Sequence, residues 1–68
     1  MHKTQKRILE YLANGDRFSF EIAKAVKVWP WQMPVYWHLG ELEEKGLITR
    51  TVTHGRFGPI IIYGLASR

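Results

Sequence analysis

The chain has 68 residues, 46% of them hydrophobic, with no cysteine and a formal net charge of +4. A chain this short forms one small domain (residues 1–68) that must be stabilised by apolar packing. The missing thiols exclude disulfides, thiolate zinc sites and a cysteine nucleophile.

The first predicted element is a helix from about Thr4 to Ala13, where Ile8, Leu9, Leu12 and Ala13 recur at helical spacing. Asn14-Gly15 stops it, because both residues tolerate the left-handed backbone that ends helices. Phe18-Ser19-Phe20 reads as a short extended piece, with Ser19 as N-cap of a second helix running to about Val26. Its apolar face is Phe20, Ile22, Ala23 and Val26, and Glu21 sits in the first turn, where the helix dipole favours an anion. Val28-Trp29-Pro30-Trp31 breaks that helix.

A third helix is predicted from about Gln32 to Lys45, with Pro34 in its first turn and Val35, Leu39 and Leu42 as its buried stripe. Gly46 ends it. Leu47–Thr53 and Ile60–Leu65 read as strands joined by a six-residue tip, His54-Gly55-Arg56-Phe57-Gly58-Pro59. The expected fold is α+β: a winged helix-turn-helix of three helices plus a C-terminal β-hairpin wing.

The charges are unevenly spread. Residues 1–30 hold six Lys/Arg against three acids, whereas residues 47–68 hold Arg50, Arg56 and Arg68 and no acid. Basic ends on a small domain point to a polyanionic partner. The longest apolar run, Ile60-Ile61-Ile62-Tyr63, is too short to span a bilayer, and no signal-peptide pattern follows the basic N-terminus. A cytoplasmic protein without membrane association is expected.

Val35-Tyr36-Trp37-His38-Leu39-Gly40-Glu41-Leu42-Glu43-Glu44-Lys45-Gly46-Leu47-Ile48 resembles the recognition-helix signature of PadR-like transcriptional regulators, roughly V-Y-x-H-L-x-x-L-E-x-x-G-L-I. Phe18–Ala23 is similar to the start of that family's second helix, and Gly55–Pro59 with Tyr63-Gly64-Leu65 to its wing. ArsR- and MarR-like winged helices share the H-L-x-x-L-x-x-x-G-L core. The chain departs from the PadR-like pattern in carrying Trp29-Pro30-Trp31 at the turn between helices and Gly40 on the third helix. The resemblance implies binding of double-stranded DNA in transcriptional regulation, as a repressor.

A major groove admits one helix, whose N-terminal residues reach base edges. Gln32, Met33, Tyr36 and Trp37 are therefore the candidate base-reading residues. Arg56, flanked by glycines and near His54, is the candidate for a narrow minor groove. Lys6, Arg7, Lys24, Lys27 and Arg50 are candidate phosphate contacts. Specificity from so small a domain calls for a homodimer, with Trp29 and Trp31 as interface anchors. His38 reads as a partly buried structural residue, and Glu41 as the partner of Lys45.

No phosphate-binding glycine loop, histidine ligand spacing or nucleophile with a helpful neighbour is visible, so no enzyme, metal, cofactor or small-molecule ligand is expected. The alternatives are a winged-helix protein-interaction module, which the aromatic residues and Glu41, Glu43 and Glu44 favour, and a DNA-processing accessory factor.

Overall fold

The computed structural model describes residues 2–26 and 34–67. Among them the chain runs α1 (Lys3–Leu12), β1 (Arg17–Phe18), α2 (Ser19–Ala25), α3 (Val35–Glu44), β2 (Ile48–Gly55) and β3 (Gly58–Leu65). This is an α+β arrangement of three helices and a three-stranded antiparallel sheet in the order β1-β3-β2. No helix among the described residues is long and apolar enough to cross a membrane.

α1 begins on His2, whose Nδ1 accepts a hydrogen bond from the Thr4 N–H at 3.2 Å. That bond satisfies one of the amides a helix start leaves without a partner. The buried stripe is Thr4, Gln5, Ile8 and Leu12. Leu9 is only half-buried and Ala13 is exposed, so the stripe is turned toward Gln5 relative to the sequence expectation.

The cap of α2 also differs from expectation. Phe18, not Ser19, is the N-cap, and it has no side-chain oxygen to offer. Glu21 compensates by accepting from the Phe18 N–H at 2.9 Å, half of a capping box. Ile22 and Val26 are buried as expected. Phe20 is not: it is 60% exposed and stacks on Phe18, with ring centroids 5.3 Å apart.

α3 begins at Val35, with Pro34 as an extended N-cap (ψ 155°), so the proline precedes the helix instead of occupying its first turn. Val35, His38, Leu39 and Leu42 form the buried stripe. The helix ends on Gly46, whose φ of +75° lies in the region only glycine enters cheaply. There the Leu47 N–H donates to the Leu42 carbonyl at 3.1 Å and the Gly46 N–H to that of Glu43 at 3.0 Å. This is the Schellman pattern, and it closes two carbonyls that would otherwise lack donors.

The β2–β3 hairpin is tighter than the sequence suggests. Pairing continues through His54↔Pro59 to Gly55↔Gly58, so the loop is only Arg56-Phe57, not six residues. Arg56 and Phe57 keep negative φ, and the positive φ at this end of the ribbon, +128°, falls on Gly58 just after them. β1 covers β3 only at Tyr63 and Ile62. Pro59 thus lies where that edge of β3 is open, a position where a strand tolerates a missing N–H.

Directly paired residues share a sheet face. One face carries Arg17, Ile48, Arg50, Val52, Ile61, Tyr63 and Leu65. Ile48 and Tyr63 on that face join Ile8, Leu12, Ile22, Val26, Val35, Leu39 and Leu42 in the core. The helices therefore cover this side. Burying such aliphatic side chains is worth about 1.5–3 kcal/mol each.

Candidate nucleic-acid interface

Two surfaces gather the sequence-predicted residues. The first is the outer side of α3. Tyr36 (56%) and Trp37 (44%) are exposed there, as expected. With Gly40, Glu41 and Glu44 they line a shallow depression of about 360 Å³. A Cβ at Gly40 would meet nothing within 4 Å, so glycine here leaves open space above the helix. Two cations beside the C-terminal half of α3 are engaged: Lys45 pairs with Glu41 and Arg50 with Glu43, each at 3.3 Å.

The second surface is the hairpin. From Thr49 to His54 every residue of β2 is exposed. Only Ile48, at its base, is buried. The distal hairpin therefore stands away from the helices, with His54 and Arg56 exposed near its end. Arg50 ties its base to α3 through Glu43. Tyr63 stands opposite Arg50 on β3. Burial pushes its hydroxyl above the usual tyrosine value, and Arg50 opposes that shift.

The remaining candidates lie elsewhere. Lys6 and Arg7 are exposed on α1. Lys24 lines a separate depression of about 330 Å³ with Tyr11, Phe20, Glu21 and Ala25. None of the three forms an ion pair among the described residues. Gln32, Met33, Lys27, Trp29 and Trp31 lie outside the described residues.

Sequence reasoning missed a buried polar network between α1 and α3. Gln5 is 1% exposed, and its amide nitrogen donates to Glu41 Oε1 at 3.1 Å and to His38 Nδ1 at 3.2 Å. His38 is fully buried, more so than expected, with the His2 ring centroid 4.4 Å from its own. Burial first, then the His2 charge, hold His38 below the usual histidine value, and Glu41 opposes them. The Glu41 carboxyl is held below the usual carboxylate range, chiefly by the Gln5 hydrogen bond. With Nδ1 accepting, the His38 proton sits on Nε2, which has no hydrogen-bond partner among the described residues. The signal was present, since Gln5, Ile8 and Leu12 share one helical stripe.

A second missed contact is Arg17, whose guanidinium lies 5.0 Å from the centroid of the Tyr11 ring. Arg17 is thereby held against α1 by a cation–π contact. Among the described residues no group of three or more metal-ligating side chains occurs.

Comparison with protein-family models, with curated proteins and with solved structures finds no match to this chain.

Proposed function

We propose that the chain is a winged helix-turn-helix domain that binds double-stranded DNA in transcriptional regulation. The observation that carries this reading is the hairpin. It projects from the helical body, bears His54 and Arg56 near its end, and has no acidic residue anywhere in positions 47–67. A duplex presents one negative charge per about 1.7 Å of axis, so an acid-free projecting ribbon with an arginine at its tip suits it electrostatically. The ion pair of Arg50 with Glu43 fixes that ribbon beside α3, the helix that follows α2 in the helix-turn-helix order.

In this reading Tyr36, in the first turn of α3, faces the major groove, while Glu41, Glu43 and Glu44 lie toward the other end of the helix, away from phosphates. Arg56 takes the adjacent minor groove. Lys6, Arg7 and Lys24 add phosphate contacts. Repression rests on the resemblance of residues 35–48 to PadR-like proteins, and a homodimer on a palindromic site on the limited specificity of so small a domain.

A salt titration against random duplex DNA tests the reading. Affinity should fall steeply with salt, and Arg56→Ala should weaken binding by roughly tenfold while lowering the salt slope by about one. A flat salt response with no Arg56 effect would reject it.

One observation favours a second reading, a protein-interaction module. The depression on α3 combines two exposed aromatic rings with Glu41 and Glu44, and no cation lines it among the described residues. If Trp37→Ala abolishes activity while Arg56→Ala does not, that reading replaces the first.

A further inference from the structure

Phe57 is 98% exposed, the most exposed large apolar side chain among the described residues. Burying a phenyl ring is among the larger favourable contributions a single residue makes. Here the ring stands in water at a two-residue reversal. Gly55 pairs directly with Gly58, so the hairpin reverses over Arg56 and Phe57 alone. Neither flanking position carries a side chain, and the ribbon tapers to one cation and one ring.

The taper is built in. A Cβ at Gly55 would collide with Cδ1 of Ile60, because the Ile60 side chain lies across the ribbon at that point. Ile60 and Gly55 thereby close the outer sheet face up to the last pair. Behind the apex stand Thr51, Thr53 and His54, all exposed and all able to hydrogen-bond phosphate oxygens.

From this geometry we propose that the hairpin apex is a DNA wedge. Arg56 occupies the minor groove and the Phe57 ring inserts at a base step, so the bound duplex is kinked there. Apolar wedges of this kind unstack a step and bend the helix, and flexible pyrimidine–purine steps yield most easily. The proposal rests on the DNA-binding reading above and adds to it a deformation of the duplex. A duplex fits the apex better than a lipid surface does. Besides Phe57 the apolar side chains exposed on the distal hairpin are Pro59 beside the tip and Val52 further back, too little for a bilayer to hold.

The test uses a duplex of about 20 base pairs with 2-aminopurine at a central T–A step and a fluorophore at each end. Wild-type protein should raise the 2-aminopurine emission and shorten the end-to-end distance. Phe57→Ala should abolish both signals and weaken binding by about tenfold, while Phe57→Leu, which keeps an apolar wedge, restores them. The exposed position leaves the fold of either variant unchanged, which a thermal melt checks. If wild type binds with Arg56-dependent affinity but neither signal moves, the wedge is wrong and the DNA reading stands. If no duplex is bound and Phe57 instead governs co-sedimentation with phosphatidylglycerol vesicles, the DNA reading falls and the wedge with it. Binding to neither probe also overturns both.

Discussion

Four residues of α3, Val35, His38, Leu39 and Leu42, are buried, whereas β2 buries only Ile48. The two elements meet at the Glu43–Arg50 ion pair and diverge from there. On the helical side even polar groups are drawn inside, and Gln5 must hydrogen-bond both His38 and Glu41 to make that tolerable. On the hairpin side an aromatic ring is left in water. Residues of the first kind serve the fold: Gln5, His38 and Glu41 bond one another, although Gln5 Oε1 and His38 Nε2 are buried without a hydrogen-bond partner among the described residues. Residues of the second kind have no such partner among the described residues, and the DNA-binding proposal supplies one from outside the chain.

Substitutions should expose this contrast. The largest effect is expected at Leu39, fully buried on α3. Leu39→Ala should cost about 2–5 kcal/mol, enough to unfold much of a small domain, as read by urea denaturation followed by circular dichroism. Next comes Gly46→Ala, which places a side chain at φ +75° with no compensating contact. A loss of about 1 kcal/mol should appear in the same assay. Arg50→Ala, which removes a half-exposed ion pair, should change stability by less than about 1 kcal/mol. Phe57→Ala should lie within about 0.5 kcal/mol of wild type. A large stability loss at Phe57 would mean that the ring is covered in solution, and the contrast between the two regions would collapse.

Acid sharpens the same contrast. In the folded chain His38 titrates below the usual histidine value, whereas in the unfolded chain it titrates near 6.5. The unfolded chain therefore takes up the proton first. Stability present above about pH 6.5 should decline as pH falls toward the folded-state value and level off below it. Glu41, also depressed, adds a separate loss only below the usual carboxylate range. Urea midpoints measured between about pH 7.5 and pH 5 should show the first step in wild type and not in His38→Gln. If the step survives in the variant, the buried imidazole is not its source.

Much of the fold was legible in the chain. The α3 stripe, the Gly46 stop and the two long strands follow from periodicity, from glycine's access to positive φ and from β-branched content, all of them local properties. The Glu41–Lys45 pair follows equally from helical spacing. The exposure of Tyr36 and Trp37 could be read from their place opposite the stripe of Val35, Leu39 and Leu42.

Other features were decided only when distant segments met. Gln5 and His38 are 33 positions apart, and no local pattern brings an amide to an imidazole across that separation. Phe20 lies on an apolar helical face by spacing, yet it turns outward to stack on Phe18, because the pairing of β1 with β3 fixes where Phe18 stands. The hairpin tip shortened to Arg56-Phe57 because strand pairing, a long-range property, ran on through Pro59 to two facing glycines. Short-range sterics and periodicity thus determined which elements form. Packing between segments far apart in the chain determined which polar groups go inside and which aromatic ring is left outside.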